Sequence, residues 1–225
     1  YWIMMSELRI KYLTKKILQV DTTPNYFDQL IKEKLGIDKE SKKINKNGPA
    51  GVLPKIEIIA VVKKALNELG YDLTVPEIEE VFQLADIQSK QNLTGFLKLL
   101  VGVEDLISLA IEKKIDLNLV SNDITERSKL ALEKLGFLNY FKYVLGQDEV
   151  KNAKPSADLA NMVLLKGCYK GNEVINIGDH PNDIKMGLNA GISCNIALLT
   201  GLSNKEDFSN LDCIILNSLN ELKLD

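Results

Sequence analysis

The sequence predicts an α/β protein, a doubly wound parallel sheet that follows an all-helical segment. Three observations predict it. From about Leu97 onward, helix-like and strand-like runs alternate; before that point apolar residues recur only at helical spacing; and the short apolar run Val174-Ile175-Asn176-Ile177-Gly178 ends on Asp179, with Asp183 close behind. Open parallel sheets gather ligands at the C-terminal ends of their strands, so the third observation also predicts where a site would lie.

The helical part comes first. From Trp2 to about Val20, residues Ile3, Met4, Leu8, Tyr12, Leu13, Ile17 and Leu18 follow the spacing of a helix face. Thr22-Thr23-Pro24 reads as the start of the next helix, with Pro at or near its first position before Tyr26-Phe27-Asp28. Lys42 to Pro54 contains Asn45, Asn47, Gly48, Pro49 and Gly51 and reads as a solvated loop. Ile56 to Leu69 is again helical in period, Gly70 fits a C-terminal cap, and Val75-Pro76-Glu77 opens a helix to about Ala85. Tyr1, Trp2, Tyr12 and Tyr26 read as packing within this segment, with a pocket lining as the alternative.

The alternating part follows. Helices are expected over Gly102 to Lys113, Thr125 to Leu135, Ser156 to Leu165 and Asp183 to Ala190, the last closed by Gly191. Strands are expected over Asp116 to Val120, Tyr143 to Leu145, Val174 to Ile177, Ser193 to Leu199 and Cys213 to Leu216. Short strands rich in Val, Ile and Leu suit a sheet covered on both faces, so the expectation is a Rossmann-like domain over 97–225 after a helical domain over 1–96.

Bulk properties narrow the function. A chain of 225 residues with 45% hydrophobic content can bury a sizeable core, and a net charge of -3 gives no field for nucleic acid or an anionic membrane. The opening Tyr1-Trp2-Ile3-Met4-Met5 soon meets Glu7, Arg9 and Lys11, too short a run for a span and without the basic start of a signal peptide. Cys168, Cys194 and Cys213 are odd in number and far apart, which favours a reducing, cytoplasmic setting over a disulfide framework.

Three strand ends carry complementary groups. Ser121 and Asn122 follow the first strand, Lys154-Pro155 stands before a helix, and Asp179 and Asp183 follow the third strand. Parallel strands would bring these ends to one edge. A hydroxyl with a turn amide, an ammonium and a carboxylate pair able to hold Mg²⁺ make a phosphoryl site there: metal and lysine offset charge, while Ser121 and main-chain N–H groups orient oxygens. Each member has a plainer reading. Ser121-Asn122 can cap a helix, Lys154 can be a surface lysine, with Lys151 as rival, and Asp179 and Asp183 can turn the chain. His180, the only histidine, reads as pointing into the turn beside the site.

In this order the residues resemble the haloacid dehalogenase-like hydrolases, and among them the branch of phosphoglycolate phosphatase-like enzymes. Leu119-Val120-Ser121-Asn122 is similar to the family's second motif, Lys154-Pro155 to its third, and Gly178-Asp179-His180-Pro181-Asn182-Asp183 to its fourth. Val101-Gly102-Val103-Glu104-Asp105-Leu106 is similar to the segment that re-enters the core from an inserted helical cap, and Leu198-Leu199-Thr200-Gly201 with Asp212-Cys213-Ile214-Ile215 to its C-terminal strands. The resemblance implies a Mg²⁺-dependent phosphatase, monomer or homodimer, that hydrolyses a small phosphorylated metabolite through a phospho-aspartate. It implies Asp179 as metal ligand with Asp183 in support, Ser121, Asn122 and Lys154 on the phosphoryl oxygens, and Lys154 and Asp179 as catalytic.

One departure stands out. The family's first motif, an apolar strand followed by Asp-x-Asp-x-Thr, is absent. The nearest stretch, Val20-Asp21-Thr22-Thr23-Pro24-Asn25, lies between helical runs, where Asp21 or Thr22 makes better sense as a cap. The expectation is that the motif precedes Tyr1 and carries the nucleophile. A phosphomutase on the same scaffold, or an inactive binding module that has lost its nucleophile, are the competing readings.

Overall fold

A computed structural model describes residues 2–38, 43–46, 48–92, 95 and 97–223, and the chain divides into two compact units, Tyr1–Leu97 and Lys98–Asp225.

The first unit is helical: α1 (Trp2–Leu18), α2 (Asn25–Lys34), a single turn α3 (Pro49–Val52), α4 (Lys55–Glu68) and α5 (Val75–Asn92). Its core follows from the spacing of apolar residues. Helix α4 buries Ile58, Ile59, Val62, Ala65 and Leu66, and α5 buries Ile78, Val81, Phe82 and Ala85, each set repeating at three and four residues. Both stripes join Ile10, Leu13, Phe27 and Ile31 in one cluster. Fully burying such a side chain is worth about 1.5–3 kcal/mol, which holds short helices that would not persist alone.

Helix α5 runs past Ala85, where the sequence reading stopped, because Asp86 and Ser89 are buried too: Lys55 Nζ reaches Asp86 Oδ2 at 2.8 Å and Ser89 Oγ donates to the Asp86 carbonyl. The expected cap at Asp21 or Thr22 is not made. Pro24 takes the N-cap position of α2 without a side-chain bond, and Asp21 is exposed, 3.7 Å from Lys15 Nζ. The expected loop contains α3 and an antiparallel bridge between Ile37 and Ile44; Lys42 and Asn47 lie outside the described residues. Tyr12 packs against the cluster and Tyr26 is exposed, whereas Tyr1 and the side chain of Trp2 lie outside the described residues.

Gly70 closes α4 at φ 81°, a left-handed conformation, with open space where a Cβ would stand. Gly70→Ala is therefore expected to cost about 1 kcal/mol through backbone conformation alone, read as a shift in urea midpoint at constant m.

The second unit alternates α6 (Val103–Glu112), β1 (Leu117–Val120), α7 (Thr125–Lys134), β2 (Phe141–Leu145), α8 (Asp158–Gly167), β3 (Ile175–Gly178), α9 (Pro181–Asn189), β4 (Cys194–Leu198) and β5 (Ile214–Leu216). All its strand pairs are parallel, as expected, but the sheet is divided: β1 pairs with β2, and β3 with β4, which pairs in turn with β5. Among the described residues no strand occupies the other edge of β1 or of β3. Burial records the same division. The doubly flanked β4 buries Asn195, Ile196, Ala197 and Leu198, while β1 is half-buried throughout and Ile175 of β3 is exposed.

The two parts are joined on one face by a cluster of Leu145, Leu159, Ala160, Val163, Met186 and Ile192. At the N-terminal end of β1, Asp116 accepts from Lys142 Nζ at 2.6 Å and from Tyr169 Oη at 2.5 Å, and both bonds hold its carboxyl below the usual range. No helix among the described residues is long and apolar enough to cross a membrane.

Candidate active site

Each site residue stands where a strand gives way to a helix. β1 ends at Val120; the Ser121 N–H still donates to Leu145 O of β2 at 2.9 Å, and the chain then turns into α7. Within that turn the Asp123 N–H donates to Ser121 Oγ at 3.0 Å. β3 ends at Gly178, and α9 begins at Pro181 behind a reciprocal cap. His180 N–H donates to Asp183 Oδ2 at 3.0 Å, and His180 Nδ1 accepts from Asn182 N–H at 3.1 Å. The only histidine thus faces its own turn.

Lys154 joins the two sides. Its Nζ donates to Val120 O at 2.9 Å and to Asp183 Oδ1 at 2.8 Å, and its main-chain N–H donates to Asn122 Oδ1 at 3.2 Å. The peptide bond that follows, to Pro155, is cis, and the helix expected from Ser156 begins at Asp158. Lys151 is exposed and takes no part.

Asp179 completes the group. It is open to solvent on one side and pressed on another by Gly201, where an added Cβ would stand 2.2 Å from Asp179 Oδ2. Burial, and then the nearby Asp183, push its carboxyl above the usual range, while Lys154 pulls the other way. Among the described residues no side chain donates a hydrogen bond to Asp179, whereas both oxygens of Asp183 are taken, by Lys154 and the His180 N–H.

The structure thus joins Asn122, Lys154 and Asp183 directly, sets Asp179 beside Asp183, and reaches Ser121 through its own turn. The sequence reading missed Gly201 as a wall of this site. Among the described residues the buried Thr200 Oγ1 has no hydrogen-bond partner. A Thr-Gly pair just past the tip of β4 was the available signal.

Residues 30–197 match the haloacid dehalogenase-like hydrolase family. The chain belongs to that family. The match bears out the resemblance drawn from its motifs and the reading of the chain as a hydrolase of this family. A phosphoglycolate phosphatase of Photorhabdus laumondii is 29% identical over 161 residues, 70% of this chain and 68% of that protein. The pyrophosphatase PpaX of Listeria welshimeri is 34% identical over 89 residues, 40% of this chain and 41% of that protein. A solved structure of β-phosphoglucomutase from Clostridium difficile superposes with a TM-score of 0.67 at 16% identity, covering 98% of this chain and 88% of that one, which shows a shared fold.

The donor set of this hydrolase fits one side of a Mg²⁺ shell. Asp179 offers a carboxylate to which no side chain among the described residues donates and whose charge is disfavoured without a cation. Among the described residues no group of three or more His, Cys, Asp or Glu side chains is arranged to hold a metal. A cation at this turn would meet the carboxylate of Asp179, since the oxygens of Asp183 are engaged by Lys154 and the His180 N–H.

Proposed function

We propose that the chain forms the phosphate-binding and cation-binding side of a Mg²⁺-dependent phosphoric monoester hydrolase for a small phosphorylated metabolite. The observation that carries the reading is Lys154, whose ammonium lies between β1 and the Asp179–Asp183 turn while its amide holds Asn122. Ser121 and Asn122 would take phosphoryl oxygens, and Lys154 would offset charge as the bond to the leaving oxygen breaks. Mg²⁺ held by Asp179 would neutralise a further phosphoryl oxygen.

The reading requires an attacking aspartate that faces Lys154 and Asp179. Attack of its carboxylate on phosphorus would form a phospho-aspartate, which water then cleaves to release phosphate. The helical unit is read as the cap that selects the substrate, and the three free cysteines favour a cytoplasmic setting. A phosphomutase would use the same residues; net release of phosphate from an aryl phosphate separates the two.

The activity test is Mg²⁺-dependent release of phosphate from an aryl phosphate by the full-length protein. Undiminished release by Asp179→Ala or Lys154→Ala would refute the assignment. Metal binding has a separate readout. Because burial and Asp183 disfavour a charged Asp179, the neutral Asp179→Asn is expected to melt above the wild type in EDTA and to gain nothing from added Mg²⁺, while the wild type gains. Equal stabilisation of both proteins by Mg²⁺ would remove Asp179 from the metal.

A further inference from the structure

Directly after Asn122 the chain places an acid, Asp123, where a bound phosphate would feel it. In a turn that opens to solvent, an unbalanced carboxylate would repel an incoming phosphate dianion, more strongly at low salt than at high. Asp123 is balanced from beneath. Its Oδ1 accepts from the Ile124 N–H at 2.8 Å and from Arg127 Nη1 at 2.5 Å, with side-chain exposures of 13% for Asp123 and 5% for Arg127.

Capping α7 does not require this pair. The Thr125 N–H and hydroxyl already reach Asp148 Oδ1 at 2.7 and 3.0 Å, and a carboxylate at a helix N-terminus is favoured without any cation. Burying a guanidinium carries a desolvation penalty of several kcal/mol that such a cap does not call for. What the pair does achieve is local. It cancels the charge of Asp123 and fixes the turn in which the Asp123 N–H occupies a lone pair of Ser121 Oγ, at 3.0 Å. The Ser121 proton has no acceptor among the described residues and is left to donate outward.

We propose that Arg127 is a positioning residue of the phosphate site: it neutralises Asp123 beside Asn122 and holds the turn that aims the Ser121 hydroxyl. The proposal rests on the phosphate-site reading above, and the experiment separates the two. Inorganic phosphate is titrated into the full-length protein, with Mg²⁺ in excess and at low and high salt, for wild type, Arg127→Met, Asp123→Asn, the double variant and Lys154→Ala; melting curves establish that each is folded.

If Arg127 cancels the charge, Arg127→Met binds phosphate about tenfold more weakly at low salt and closer to wild type at high salt. Asp123→Asn, which removes the negative charge beside Asn122, binds more tightly than wild type, and the double variant returns near it. A purely structural tie predicts instead that both single variants weaken binding alike and independently of salt, and that result overturns the proposal. So does wild-type affinity in Arg127→Met. If Arg127→Met does not fold, the sign of the change in Asp123→Asn decides. Wild-type protein that binds no phosphate, or Lys154→Ala that binds it unchanged, overturns the phosphate site and this proposal together.

Discussion

Lys154→Met is expected to abolish phosphate release and to destabilise the second unit by about 3–5 kcal/mol, since removing one partner of a buried ion pair leaves the other charge uncompensated. The side chains of Lys154 and Asp183 are only 11% and 14% exposed, so water cannot take the place of the lost ammonium at Asp183 Oδ1. Val120 O loses its donor in the same step. Stability and activity should then separate in a second variant. Adding Asp183→Asn to Lys154→Met removes the stranded charge and is expected to restore much of the stability but none of the activity. Urea unfolding followed by far-UV dichroism measures the first, and phosphate release the second. A loss below 1 kcal/mol in Lys154→Met would mean that the pair is far better solvated than its burial indicates.

Gly187→Ala is the second large effect. Gly187 lies on α9 over two strand residues that are neighbours in register, Asn176 of β3 and Asn195 of β4. Asn176 Nδ2 donates to Asn195 Oδ1 at 3.0 Å and to the Asp183 carbonyl at 2.9 Å, and Asn195 Nδ2 donates to Ile192 O at 2.8 Å. A Cβ on Gly187 would stand 2.0 Å from Asn195 Oδ1 and 2.4 Å from Asn176 Nδ2. The methyl group must either push α9 outward or break buried hydrogen bonds, at about 1–3 kcal/mol for overpacking and a similar amount for a buried polar group left unpaired. A total near 3 kcal/mol corresponds to a fall of roughly 10 °C in Tm. Phosphate affinity should fall as well, since Asn176 holds the main chain of the residue that pairs with Lys154. Calorimetry and phosphate titration measure the two effects, and an unchanged Tm would show that the Asn pair re-forms at no cost elsewhere.

The elements themselves were legible in the sequence because their signals are local. Apolar residues at period 3.6 placed α4, and Gly70 and Gly191, both at positive φ, marked helix ends. The strand tips with Ser121, Lys154 and Asp179 were legible because each joins a short apolar run or a proline to a polar residue. What escaped depends on pairing between distant segments. The division of the sheet between β1 and β3 is invisible in a strand read singly. Asn176 and Asn195 each interrupt an apolar run, and only register sets them side by side. Nothing in the identities of its neighbours reveals that the Arg127 guanidinium turns inward to Asp123. The same applies to Asp183, whose oxygens are claimed by a lysine 29 residues earlier and by a main-chain amide.

The divided sheet bears on how this protein behaves in company. A strand edge that lacks a neighbour is a template for any extended chain that reaches it, and sheet proteins ordinarily shield such edges with charge, proline or a bulge. Among the described residues, the inner edge of the short half-buried strand β1 is met near its tip by the ammonium of Lys154, whose charge disfavours the docking of an extended chain there and so works against edge-to-edge self-association.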